Sequence, residues 1–204
     1  MKTKERILNK ALELFNGEGV KEVTLRRIAG ALEISQGNLN YHFKTKAEII
    51  SGLYFQLVGH MDEEMNKVVQ QQSILSLIYK STYVSMKILY DYRFILKDLY
   101  SVLNADLVLK EHYLELQKTR KQQYLYLFGK MIEEDLIRAA EFEAEYDHLY
   151  ERMNILGDNW INAAELFQQE SQSIISHYHK LLFEVIYPYL TEKGKGEFLE
   201  LAHD

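Results

Sequence analysis

Five side chains able to hydrogen-bond crowd into the seven residues from Gln36 to His42: Gln36, Asn38, Asn40, Tyr41 and His42. Asparagine and glutamine amides pair a donor with an acceptor in the pattern adenine presents in the major groove of duplex DNA. A phenol and an imidazole add groups suited to base edges or phosphates. Gly37 removes a side chain near the start of the stretch, which lets a phosphate or a neighbouring helix come close. Thr24, Arg26, Arg27 and Ser35 lie just upstream and Lys46 just downstream, adding hydroxyls and cations to the candidate DNA-binding set.

Catalytic patterns are missing. There is no cysteine, hence no disulfide, thiolate zinc site or cysteine nucleophile. No Gly-rich phosphate loop, G-x-S-x-G, H-E-x-x-H or D-x-D loop occurs. His177 and His179, two apart, face different ways on a helix and make a poor metal pair. No enzymatic activity, cofactor or metal is expected.

A recognition segment must be held by something. Its only core anchors are Leu39 and Phe43, too little apolar surface for a short helix to stand alone. The preceding residues supply the support. Ile7, Leu8, Ala11, Leu12 and Phe15 form one face of a helix from Thr3 to about Asn16, ended by Gly17 and Gly19. Val20 and Val23 lead to Thr24, an N-cap for a second helix whose Leu25, Ile28, Ala29 and Leu32 make a buried stripe. Arg26 and Arg27 fall off that stripe. Glu33-Ile34-Ser35 is a three-residue turn, and Ser35 caps the third helix. Helix, short turn and recognition helix is the helix-turn-helix plan.

Charge points the same way. The chain carries 24 Lys and Arg against 30 Asp and Glu, a net charge of -6. Residues 1–52 nevertheless hold nine bases and six acids, a balance of +3, leaving -9 on the remainder. A basic head on an acidic body suits a protein that offers one end to a polyanion.

Residues 7–50 resemble the DNA-binding domain of the tetracycline-repressor (TetR) family. Ile-Leu-x-x-Ala-Leu-x-Leu-Phe starts at Ile7, and Gly-Val-x-x-Val-Thr-Leu-Arg-Arg-Ile-Ala starts at Gly19. Gly37, Leu39, His42, Phe43 and Lys46 fit the family's recognition-helix pattern. Asn40 stands where a tyrosine is usual and Thr45 where a serine is; the first departure bears on which groups are read. The resemblance implies phosphate contacts from Thr24, Tyr41 and Lys46, and base-edge contacts from some of Gln36, Asn38, Asn40 and Tyr41. It implies an all-α chain: a helix-turn-helix domain at 1–46 and a larger helical ligand-binding and dimerisation domain at 47–204. The expected function is transcription regulation as a cytoplasmic homodimeric repressor on a near-palindromic operator, released by a small-molecule effector.

One proline and 10 glycines in 204 residues favour long helices. The spacing predicts a helix from Thr45 carrying Ile49, Ile50, Leu53, Tyr54, Leu57, Val58, Met61 and Met65, interrupted at Gln70-Gln71-Gln72-Ser73. A fifth follows to about Tyr92, a sixth over Arg93–Leu103 and a seventh over Asp106–Glu134. From Glu133 to Glu151 eight acids face one base, Arg138, a run read as a solvated face or loop. Pro188 kinks or ends a late helix, and the tail from Gly194 adds a last weak turn. No apolar run is long enough to span a membrane.

The candidate dimer interface is two apolar stripes: Met153, Leu156, Trp160, Ala163, Ala164 and Phe167, and, on the next helix, Tyr178, Leu182 and Val185. Tyr79, Tyr83, Met86 and Tyr90 share one helical face, and Tyr113, Gln117 and Tyr124 another. Aromatic walls with a few polar groups suit a ligand pocket. The same stripes also fit a filled core, in which case the chain is a DNA-binding dimer without effector, or a protein-interaction module.

Overall fold

The computed structural model describes residues 2–68, 73–167 and 174–203. Gln70, Gln71 and Gln72, where the sequence breaks the fourth helix, lie outside the described residues. All regular structure within them is helical: α1 (Thr3–Glu18), α2 (Leu25–Ala31), α3 (Gln36–His42), α4 (Lys46–Val68), α5 (Ile74–Asp91), α6 (Arg93–Lys97), α7 (Leu99–Ala105), α8 (Leu107–Glu133), α9 (Glu145–Leu166), α10 (Ile174–Glu184) and α11 (Glu192–His203). A 3₁₀ turn at Tyr187–Tyr189 holds Pro188. None of these helices is long and apolar enough to cross a membrane. Two compact units emerge: Met1–His60 with Asp91–Tyr113, and Met61–Tyr90 with Leu114–Asp204.

The first unit is built on caps. Ile7, Ala11, Leu14 and Phe15 bury one face of α1, which runs past Gly17 and stops only where Gly19 turns to a φ of 87°. The Thr24 hydroxyl accepts from the Arg27 amide at 3.1 Å, and Ser35 from the Asn38 amide at 3.1 Å. Thr45 accepts from the Glu48 amide at 3.1 Å while the Glu48 carboxylate reaches back to the Lys44 amide at 2.8 Å. A threonine thus does here the capping a serine would. The expected helix over Arg93–Leu103 is two, α6 and α7. Asp98 leaves helical dihedrals and its carbonyl accepts from the Val102 amide at 2.9 Å, a boundary role typical of aspartate.

The second unit holds α5 and α9 to α11. Ser73 caps the start of α5, accepting from the Ser76 amide at 3.0 Å. The acidic run contains a buried exception to its solvated reading: Glu145. Its carboxylate accepts from the Arg138 guanidinium at 2.8 Å and from the Glu141 amide at 2.7 Å. Arg138 first, and then that amide, hold its pKa down at about 2. This clasp orients residues 136–138, which pair with residues 189–191 through the Arg138 amide on the Tyr189 carbonyl (2.9 Å) and the Thr191 amide on the Leu136 carbonyl (3.1 Å).

The expected weak terminal turn is instead a 12-residue helix, α11. Thr191 accepts from the Gly194 amide at 3.1 Å, and Phe198 stacks on Phe183 with ring centroids 4.6 Å apart. One large aromatic contact secures a helix whose sequence is mostly polar. Its first turn lies so close to the chain that a Cβ on Gly194 would sit 2.0 Å from the Leu136 carbonyl oxygen.

Two predictions follow from this packing. Gly194→Ala forces backbone apart and lowers stability by about 1–3 kcal/mol, while Gly196→Ala, with nothing within 4 Å, does not. Paired thermal melts check the contrast. His179 is buried, its Nε2 3.1 Å from the Thr82 hydroxyl and 2.9 Å from the Tyr79 carbonyl, and burial lowers its pKa below 6.5. The unfolded chain therefore binds the proton more readily. Stability is full above about pH 6.5 and falls as pH drops from there through the depressed folded value. Melts of the wild type and of His179→Gln across that window should differ in slope; equal slopes would exclude His179 as the cause.

Candidate nucleic-acid interface

Leu39 is fully buried and Phe43 nearly so, and both pin α3 to the first unit. That leaves the other side of the helix to solvent. Gln36, Gly37, Asn38 and Asn40 are exposed, and Tyr41 is 85% exposed with its ring edge-on to half-buried His42. A tyrosine presented this way contributes nothing to the core, so the packing of the unit does not explain it. Ser35 is occupied as the helix cap, its hydroxyl proton still able to donate. Lys4, at the start of α1, stands 5.4 Å over the Phe43 ring and adds a cation beside the end of α3 that the sequence pattern did not single out.

On α2 the structure separates two neighbouring arginines. Arg27 is committed to Glu18, with N–H donors at 2.7 and 3.3 Å from its carboxylate. Arg26 is exposed and has no ion-pair or hydrogen-bond partner among the described residues. Thr24 uses its oxygen as a cap and keeps a proton to donate. Lys46 is half-buried, its ammonium donating to the carbonyls of Val20 at 2.6 Å and Val23 at 3.2 Å. It fastens the link between α1 and α2, and of its three N–H groups one is left for another acceptor.

Two supports escaped sequence reasoning. The Asn16 amide bridges α1 to the start of α6, donating to the Asp91 carbonyl at 2.7 Å and accepting from the Phe94 amide at 3.1 Å. Phe15 meets Phe94 beside it at 5.2 Å. An open groove of about 410 Å³ runs along this seam, bounded by Asn9, Leu12, Asn16, His60 and Tyr92. Gly52 is the second support, since a Cβ there would meet the Leu8 side chain at 3.0 Å. The only sequence signal for either was a polar residue or a glycine within a helix.

In the second unit the candidate ligand residues fall into separate clusters. Tyr79 and Tyr83 pack edge-on to His179, and Met86 is buried. Tyr90 stacks on Trp160. Gln117 accepts from the Tyr150 hydroxyl at 3.3 Å, and Tyr124, pushed up to about 12 by burial, lies against Tyr150 with ring centroids 5.5 Å apart. Tyr113 is half-buried in the first unit. Of the candidate interface residues, Met153, Trp160, Ala164, Tyr178 and Leu182 are buried within the chain itself. Leu156, Ala163 and Val185 are half-buried, and Phe167 is exposed. Ile155, Leu166 and Leu181 are apolar and exposed beside them.

The all-helical fold and the helix-turn-helix with its outward polar face define a DNA-binding regulator. Comparison with known proteins gives the family. Residues 7–53 match the family described as bacterial regulatory proteins, tetR family, and residues 56–198 match the TetR family described as bacterial transcriptional repressor. The chain belongs to the TetR family, whose members are transcription factors rather than enzymes. It is 33% identical over 92 residues to the HTH-type transcriptional regulator SAB2452 of Staphylococcus aureus, a match covering 45% of this chain and 46% of that protein. The match thus spans about half the length of that relative. A TetR-family transcriptional regulator from Marinobacter aquaeolei is similar along the whole fold, with a TM-score of 0.87, 25% identity, and 100% and 98% of the two chains covered. A regulator from Saccharomonospora viridis in complex with choline shares the fold alone, with a TM-score of 0.71, 16% identity, and 93% and 97% covered.

Splitting Arg26 from Arg27 yields a prediction. Arg26→Ala weakens binding to all duplexes alike and reduces the slope of log affinity against log salt by about 1, the mark of one lost phosphate contact. Arg27→Ala acts through the Glu18 pair, so Glu18→Gln reproduces its effect. Salt titrations of the three variants check this.

Proposed function

We propose that this chain is a homodimeric repressor that reads a near-palindromic DNA operator through α3 and is released by a small molecule held in its second unit. The observation that carries the reading is the exposed row of Gln36, Asn38, Asn40 and Tyr41 on a short helix anchored by Leu39 and Phe43. Residues 1–46 form the DNA-binding domain, and residues 47–204 the ligand-binding and dimerisation domain. Thr24, Arg26, Tyr41 and the remaining N–H of Lys46 take phosphates, while the amides of Gln36, Asn38 and Asn40 read base edges.

Dimerisation uses the outward side of α9 and α10. Ile155, Asn159, Asn162 and Leu166 repeat at helical spacing on one exposed face, with Phe167 next to it and Leu181 exposed on α10. Packed against the same face of a second copy, they make a four-helix bundle. Half-buried Leu156, Ala163 and Val185 flank it. Two heads related by a two-fold axis then meet half-sites about one helical turn apart.

Release requires a ligand with different affinities for two arrangements of the chain. A choline complex of a protein with the same fold supports a body able to hold a small molecule. Asn16 is the coupling residue on the DNA side: it grips Asp91, the last residue of α5, and the first turn of α6 at once. A shift at the end of α5 therefore moves α1, on which the recognition helix is supported.

Selection from randomised duplexes should return a near-palindrome, bound by a particle with the mass of two chains. Ile155→Glu with Leu181→Glu should give folded monomers that bind it at least about a hundredfold more weakly. Recovery of no preferred sequence, or full operator affinity in the monomeric variant, would overturn the reading.

A further inference from the structure

The buried face of α9 is drawn by Tyr146, Tyr150, Met153, Trp160 and Ala164. Gly157 falls in the middle of that face, four residues after Met153 and three before Trp160. Gly157 is itself only half-buried, and outside its chain neighbours and its own helix backbone no described atom lies within 4 Å of the position its Cβ would occupy. The side of α9 that carries Met153 and Trp160 therefore opens to solvent at this point, where close packing would otherwise fill it. A glycine in mid-helix also lowers helix stability, so something other than helix formation keeps it there.

The two ends of this face differ in chemistry. Towards Tyr150, the phenol is held by the Gln117 carbonyl oxygen, and Tyr124 lies alongside. Between Gln117 and Tyr124 on the same face of α8 stands Arg120, half-buried and without a hydrogen-bond or ion-pair partner among the described residues. After burial itself, its charge is the largest influence on both phenols, lowering the pKa of each. The other charges near Tyr150 are committed. Lys121 pairs with Asp147 and Glu151, and Asp158 accepts from the Asn154 amide at 3.3 Å. Towards the other end, the Trp160 indole N–H is buried with no hydrogen-bond partner among the described residues, its ring flanked by Tyr90 at 5.9 Å and Tyr178 at 5.6 Å. A buried donor left without an acceptor is a standing cost that a ligand oxygen would remove.

We propose that this space takes an apolar carboxylate, its anion on the Arg120 guanidinium beside Gln117 and Tyr150, its apolar body passing Gly157 towards Trp160. The inference rests on the ligand-released reading above and names the class of effector. One unpaired guanidinium, planar and rich in donors, matches a carboxylate in both shape and charge. A phosphate dianion would leave a negative charge uncompensated near Asp158. From Tyr150 to Trp160 the face runs about 15 Å, room for an aryl or medium-length alkyl body rather than a long lipid.

The test uses the full chain with phenylpropionate and decanoate, each against the alcohol of the same skeleton. Trp160, the single tryptophan, reports binding by its emission. The carboxylates should bind about tenfold to a hundredfold more tightly than the alcohols, and Arg120→Gln should erase that preference, with Arg120→Lys restoring part of it. Gly157→Leu fills the space; it should melt cooperatively at or above the wild-type temperature while losing the response to every probe. Equal affinity for acid and alcohol, undiminished carboxylate binding in Arg120→Gln, no binding of either acid, or a destabilised Gly157→Leu would each overturn the proposal. The two readings fail separately. Alcohols that release the operator where acids do not leave the repressor reading standing and end this one. Acids that bind as described without weakening operator affinity uphold the site and end the release.

Discussion

A seven-residue helix with a single buried side chain cannot hold its own shape, and the first unit is organised around that fact. α3 buries Leu39, with Phe43 buried just beyond its end and His42 half-buried, and turns its other residues to solvent. The energy that keeps it folded comes from its neighbours, because helix nucleation is too costly for so short a segment alone. Ser35 satisfies an orphan amide at one end, and the Thr45–Glu48 cap starts α4 immediately after the other. The recognition surface is positioned by α1, α2 and α4.

That dependence gives several polar residues double duties. Lys46 is charged and near the end of the recognition helix, yet most of its donors hold the Val20–Val23 link in place. Arg27 is spent on Glu18, leaving Arg26 exposed beside it. Asn16 satisfies a carbonyl at the end of α5 and an amide at the start of α6 with one side chain. Such residues place helices as well as presenting polar groups.

The second unit shows the same economy in a different form. Half-buried Arg138 and buried Glu145 form an ion pair beside the loop that meets residues 189–191, and α11 is held by Phe198 stacked on Phe183. Elsewhere α9 is less closely packed. Half-buried Gly157 has open space before it, and among the described residues Arg120 and the Trp160 indole N–H have no hydrogen-bond partner.

The helical class, the helix-turn-helix and most of its caps are legible in the order of residues alone. Thr24, Ser35 and Ser73 act through adjacent backbone amides, and the stripes of α1 and α2 follow from local periodicity, so neighbours in the chain suffice to read them. Leu39 and Phe43 were legible as anchors for the same reason. Tertiary contacts settle which of two adjacent arginines is paired, that Asn16 and Gly52 bind α1 to its neighbours, and that Glu145 leaves an acidic run to become buried. They also settle that the apolar stripe of α9 faces inward at Met153, Trp160 and Ala164, with Ile155 and Leu166 on the outside. A hydrophobic stripe says that a face is covered, not by what. Each of these contacts joins residues of different elements, whose approach is set by packing and not by the periodicity of either one.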